Sequence, residues 1–231
     1  MKRRYSDTWS ATDAYGGKSG MPPPAKRVKK EKDVSNEEEE MPDIFNLFKG
    51  PVSVNCYSID NKIFFNDEVN MTTIGQLNKE LRQLQTKLLI QSIKMGIDPA
   101  PIKLHLTTYG GSIHAALSAI ACIKTSKVPV HTIIDGYVAS AGTLISVCGA
   151  KRYIYKHSNM LIHELRSSLW GKYTDMEEEM DNLKKLMEKI KDIYVEHTGM
   201  KRKDLNGILK KDKDWDADQC LASGLVDEII E

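Results

Sequence analysis

The chain has 231 residues, 41% of them hydrophobic and 28% charged, with a formal net charge of +1. That balance suits one globular domain with a real core plus tails, and it gives no global attraction to nucleic acid or anionic lipid. No apolar run reaches the length of a membrane span, and the opening MKRRYSDTWSATDAYGG lacks the apolar stretch of a secretory signal. The four cysteines (Cys56, Cys122, Cys148 and Cys220) stand far apart with no CxxC spacing, so no metal site is expected. Buried free thiols in a reducing intracellular compartment, cytoplasm or nucleus, are expected instead.

Residues 1–42 differ from the rest, with Gly, Ser, Pro and charge ending in MPPPAKRVKKEKDVSNEEEEMP. So little apolar surface cannot offset the entropy of ordering, and a disordered charged tail is expected. Within it PAKRVKK reads either as a nuclear localisation signal or as solubilising charge, and the adjoining acidic run argues against direct nucleic-acid binding. The globular part, 43–231, opens on the apolar patch DIFNLFK. SVNCYSID and KIFFND alternate around a DN turn and predict a first pair of strands. Residues 72–95 predict a helix, with Ile74, Leu77, Leu81, Leu84, Leu88 and Leu89 on one face. IKLHLTTYGG reads as a strand broken by two glycines, and SIHAALSAIACIKTS as a helix capped by Ser112.

VPVHTIIDGYVAS predicts another strand, AGTLISVCGA a short helix and KRYIYKHSNMLIHEL further strand. Residues 174–197 give the clearest helix, with Met176, Met180, Leu183, Met187, Ile190 and Tyr194 in one stripe. Thr174 and Glu177 are spaced as a capping box at its start. DWDADQCLASGLVDEII closes the chain as a short helix, a turn at Gly224 and a last strand. Strands alternating with helices predict an α/β layered fold with mostly parallel strands.

Two strand-to-helix bends carry candidate chemistry. In TTYGGS, residues 107–112, paired glycines let backbone N–H groups face outward at a helix start, which suits an oxyanion or phosphate. No GK[ST] follows, so a P-loop is excluded, and a plain turn is the alternative reading. Ser140 lies between Ala139 and Ala141, with Gly142 next, so no bulky group crowds its hydroxyl. It reads as a helix N-cap or as a nucleophile, and a nucleophilic serine needs a base. Among the six histidines His163, in NMLIHEL, is the candidate base and His114 its competitor.

The ordered set TTYGGS, ASAG, AKRYIYKHSNMLIH, HTG and GLVDEI resembles the ClpP family of serine peptidases, from about Lys62 to Glu231. The family pattern reads SPGGS, ASMGA, AGAKGKR, PNSRVMIHQP, HTG and EYGLVD. The resemblance implies a ClpP/crotonase-type α/β spiral in which Ser140 is the nucleophile, His163 the general base, and the N–H groups of Gly111 and Ala141 the oxyanion hole. An ungapped count back from GLVD sets the family's catalytic acid opposite Ile208; a small deletion brings Asp212 into place, with Asp214 as runner-up. Thr108-Tyr109 replaces Ser-Pro, Ala141 replaces Met and Glu164-Leu165 replaces Gln-Pro, all beside the expected substrate groove.

By the same resemblance the long helix is a handle joining heptameric rings into a stacked tetradecamer that cleaves peptides and unfolded chains, with no cofactor. The sequence carries no Walker A motif, so a separate AAA+ ATPase would do the unfolding, and the IFNLF patch is a candidate coupling segment. A viral head-maturation protease using the same site also fits the tailed sequence. Two further alternatives are a non-catalytic ClpP-like ring subunit and an acyl-CoA enzyme of the related crotonase fold. The latter would require neither Ser140 nor His163.

Overall fold

The chain divides at residues 50 and 51, and the computed structural model describes residues 55–231. The tail with its PAKRVKK run, the IFNLF patch and the start of the globular part therefore lie outside the described residues. One sheet organises the described part. Strands β1 (Cys56–Ile59) and β2 (Lys62–Phe65) form the expected antiparallel pair, then β2, β3 (Ile102–Thr108), β4 (Val130–Ala139), β5 (Lys151–Tyr155) and β8 (Glu228–Ile230) pair in parallel. The central strands carry near-continuous apolar runs, as a sheet covered on both faces requires; Ile102, Leu104 and Leu106 are fully buried.

Strand β4 changes partners along its length, and this places the candidate site. Residues His131–Ile134 pair with β5, whereas Tyr137–Ala139 pair with β6 (Asn159–Leu161). Between these stretches β4 has residues with no counterpart on β3, since Leu106 faces Ile134 and Thr108 already faces Val138. Such an irregularity bends a strand and re-aims the residues beyond it. The run KRYIYKHSNMLIHEL is thus two short strands rather than one, and His163 falls two residues beyond the end of β6. Strand β7 (Asp214–Trp215) pairs antiparallel with β6.

Helix α1 (Met71–Met95) buries Ile74, Leu77, Leu81, Leu84 and Leu88, the predicted face, and each such side chain contributes roughly 1.5–3 kcal/mol on burial. Asn70 caps its start by accepting from the N–H groups of Thr72 and Thr73, and Gly96 at φ 63° ends it in the left-handed region. Helix α2 (Ile113–Lys124) is capped by Ser112 as expected, and its buried Ala115, Ala116 and Ala119 permit close approach to the core. Helix α3 (Ala141–Val147) is buried throughout.

Helix α4 (Tyr173–Thr198) starts two residues earlier than the Thr174 capping box implies; the Asp175 carboxylate accepts from the Lys172 N–H instead. Of its stripe only Ile190 and Tyr194 are buried, while Met176 and Met180 are 38% and 45% exposed. Helix α5 (Arg202–Leu209), an element beyond those expected, precedes β7, and α6 (Ala217–Ala222) leads to β8. All four cysteines are free and buried. Burial pushes the thiols of Cys56 and Cys220 up to about 12 and that of Cys148 to about 11, so they stay protonated and inert.

Candidate active site

The end of β4 delivers Ser140 into a bend of unusual geometry. Its φ of 55° and ψ of −126° are shared by few residues with a Cβ, at a cost of about 1–3 kcal/mol that surrounding contacts must hold. Those contacts are present. The Ser140 N–H donates to the Leu161 carbonyl at 2.9 Å, and its own carbonyl accepts from the Thr143 N–H at 3.0 Å and the Thr143 hydroxyl at 2.6 Å. Ser140 occupies the N-cap position of α3, yet its hydroxyl makes no cap bond. The plain capping role is therefore not what this side chain performs.

Small residues let a second bend close on the first. A Cβ on Gly110 would stand 2.6 Å from the Ser140 Cβ and 2.7 Å from the Ala139 carbonyl oxygen, so only glycine fits there. Gly110 and Gly111 both have positive φ, at 94° and 142°, and a Cβ on Gly111 would collide with the Val69 carbonyl. The Val69 N–H donates to the Gly110 carbonyl and the Ser112 N–H to the Val69 carbonyl, which stitches the turn to the segment ahead of α1. The TTYGGS turn is thus held against the serine bend by its glycines, more than a plain reversal needs.

One cleft of ≈ 240 Å³ gathers Tyr109, Gly111, Ser140, His163, Arg166 and Tyr194 among its walls. His163 is half-buried, and its Nδ1 lies 2.6 Å from the Glu164 carbonyl oxygen. A carbonyl can only accept, so this contact places the ring proton on Nδ1 and leaves Nε2 as the free base. The neighbouring backbone is anchored by the Glu164 N–H donating to the Leu209 carbonyl at the end of α5. His114, the competing base, is exposed on α2 and is not a wall of this cleft.

The carboxylates are elsewhere. Among the described residues no hydrogen bond or ion pair joins His163 to an acid; Asp212 pairs with Arg166, and Asp214 accepts from the Tyr137 hydroxyl at 2.8 Å. Desolvation followed by that bond to Asp214 pushes the Tyr137 phenol up to about 12. Its ring leans on Tyr109, a cleft wall, at 5.4 Å between centroids. Ile208, opposite the family's acid by ungapped count, packs against the core from α5. The structure thus brings Ser140, His163 and Gly111 together, with Ala141 beginning the helix beside them, and leaves Asp212 one salt bridge away from the cleft wall. Arg166 and Tyr194 were not singled out from sequence for this site; a lone arginine in a loop and a tyrosine in a helical stripe carry no local signal for it.

A hydroxyl on a strained bend, an imidazole with a bare Nε2 and glycine backbone at a helix start are the parts that acyl transfer requires, which places the chain among the hydrolases. The comparison with known families sharpens this. The Clp protease family matches residues 53–231, and the chain belongs to that family. It is 28% identical over 173 residues to the ATP-dependent Clp protease proteolytic subunit 1 of Chlamydia muridarum, covering 73% of this chain and 85% of that one. It is 33% identical over 131 residues to the proteolytic subunit 2 of Bacillus licheniformis, covering 56% and 69%. Subunit 1 of Chlamydia caviae is 27% identical over 173 residues, covering 73% and 86%. The protein is a protease of the ClpP type.

Proposed function

We propose that the protein cleaves peptide bonds by serine catalysis, with Ser140 as nucleophile and His163 as general base. The observation that carries this reading is the positive-φ bend that presents an uncapped Ser140 hydroxyl to the cleft His163 lines. His163 Nε2 takes the proton as Ser140 Oγ attacks the scissile carbonyl. The N–H groups of Gly111 and Ala141 receive the negative charge that develops on the carbonyl oxygen; one such donor is worth about 10²–10³ in rate. Collapse expels the amine with the proton from His163, and water then releases the acyl group by the same steps in reverse. The Glu164 carbonyl is the observed acceptor for His163 Nδ1–H. Asp212, and behind it Asp214, is the candidate acid once Arg166 releases it.

Family membership supports a proposal for assembly and feeding. The relatives are named as ATP-dependent proteolytic subunits, and this chain has no Walker A motif, which supports a separate AAA+ ATPase that threads unfolded chains to it. The exposed Tyr173, Met176 and Met180 on the first half of α4 give the apolar surface that stacking of heptameric rings would bury. For PAKRVKK a nuclear address and plain solubilising charge are both proposed, to be separated by the distribution of a fluorescent fusion before and after Lys→Ala substitution.

The test of the catalytic reading is a fluorophosphonate probe with the adduct mapped by mass spectrometry. Labelling at Ser140 that disappears in His163→Ala is expected. That no carboxylate among the described residues bonds His163 favours a second reading, a non-catalytic ring subunit, and an assembled, folded protein that takes no label would establish it.

A further inference from the structure

Thr143 and Tyr194 form a buried hydroxyl chain that ends on the carbonyl of Ser140. The Thr143 hydroxyl lies 2.6 Å from that carbonyl oxygen and 2.5 Å from the Tyr194 hydroxyl, and the two residues are 0% and 2% exposed. Threonine has one hydroxyl proton, and a carbonyl can only accept. The Thr143 proton therefore goes to the Ser140 oxygen, and the Tyr194 O–H donates to Thr143. Burial pushes the Tyr194 phenol well above its usual range, with the bond to Thr143 opposing, so it remains a donor.

The carbonyl at the end of this chain belongs to the same peptide plane as the Ala141 N–H. In a trans peptide the C=O and the following N–H are held rigidly and point in opposite directions. A bond that fixes the Ser140 oxygen therefore fixes the direction of the Ala141 N–H. That N–H is the first of α3 and has no acceptor within the helix. Donation to a carbonyl also polarises its own amide and strengthens the N–H as a donor.

Thr143 is a departure from the family pattern. The ClpP pattern reads ASMGA where this chain has ASAGT, so Thr143 stands at an alanine position. Two hydroxyls buried without partners would destabilise the core; here Tyr194 donates to Thr143 and Thr143 to the Ser140 carbonyl, so neither proton is left unpaired. Tyr194 comes from the packed half of α4, 51 residues from Thr143, so the chain also fastens the long helix to the serine bend.

We propose that Thr143 and Tyr194 are positioning residues that aim and strengthen the Ala141 N–H for the developing oxyanion. The proposal rests on the serine-peptidase reading above. Its test compares Thr143→Val, Thr143→Ser and Tyr194→Phe in the full-length protein by peptide kinetics, fluorophosphonate labelling at Ser140 and thermal midpoint. Thr143→Val should lower kcat about tenfold with KM unchanged, less than the roughly 10²–10³ expected for outright loss of a donor. Labelling should slow in parallel, because the probe's phosphoryl oxygen uses the same donors. The pH midpoint of kcat should stay put, because His163 is untouched.

Tyr194→Phe leaves the Thr143 bond in place and should cost about threefold, the scale of one neutral hydrogen bond. Thr143→Ser keeps the hydroxyl and should restore kcat. Normal labelling with kcat unchanged in both Thr143→Val and Tyr194→Phe overturns the positioning role alone. A loss that Thr143→Ser fails to rescue, or that appears only in KM or in the thermal midpoint, overturns it as well. Failure of the unsubstituted protein to label at Ser140 overturns the serine reading, and this inference with it.

Discussion

The Ser140 bend is fixed by its N–H on Leu161, two bonds from Thr143 onto its carbonyl and the glycine turn packed against its Cβ. His163, across the same cleft, makes one hydrogen bond from its ring among the described residues, to the carbonyl of the next residue, in a segment past the end of β6. The Ser140 half of the site is over-determined by packing; the His163 half hangs on a single local hydrogen bond. The two halves have different needs. A strained backbone needs many supports, because each must offset the 1–3 kcal/mol that the bend would release by relaxing. A histidine without positive-φ backbone needs only its tautomer set, and a main-chain carbonyl does that without an acid.

The largest test of this contrast is at its two ends. Ser140→Ala should reduce peptidase activity by about 10⁴ or more, and His163→Ala should fall as far, because nucleophile and base act as one unit. A His163→Ala enzyme that kept most of its activity would remove the base from this site. Next in size is the packing itself: Gly110→Ala should cost about 10²-fold or more in kcat, since a clash at 2.6 Å displaces Ser140. Retained kcat in that variant would show the bend to be soft.

A smaller effect is expected from the acid. Asp212→Ala should lower kcat about tenfold, well short of the roughly 10⁴ seen when an acid directly bonded to the base is lost, because Asp212 pairs with Arg166 in this structure. A loss approaching that of His163→Ala would show that Asp212 leaves Arg166 for His163 during turnover, and Asp214→Ala is the matched control.

The smallest effect lies away from the cleft, where Asp227 accepts from the Arg152 backbone and guanidinium. Arg152 holds the Asp227 carboxyl below its ordinary 3.8, chiefly through the side-chain hydrogen bond, with desolvation opposing. A depressed carboxyl contributes stability that is present above its unfolded value and lost as pH falls through the folded one. Asp227→Asn should therefore destabilise the fold by about 1 kcal/mol at pH 7 and narrow its gap to the parent below about pH 4, read by urea unfolding at both pH values. A constant gap across that range would exclude the charge.

Much of this architecture was legible in the order of residues. The apolar period of Ile74, Leu77, Leu81, Leu84 and Leu88 defined α1, because a helix must bury one face. The glycine pair and the small residues around Ser140 signalled two tight bends, because nothing larger fits where backbones meet. The motif order carried the family. What failed was what depends on contacts between distant segments. The break between β5 and β6 arises because β4 changes partners midway, which no local pattern in KRYIYKHSNMLIHEL encodes. Helix α5 escapes a reading by periodicity because its short amphipathic run sits among lysines and aspartates.

The amino-acid sequence by itself determined the layered α/β class, the main helices, the two bends and the residues able to supply a nucleophile and a base. Periodicity and residue size are local properties that the chain carries wherever it folds. Only the tertiary structure decided that Ser140 is strained and uncapped, that Asp212 faces Arg166 instead of His163, and that Tyr194 reaches Thr143 from 51 residues away. Those outcomes depend on which side chains meet after the sheet has formed, and hydrogen bonds between remote residues leave no periodic trace along the chain.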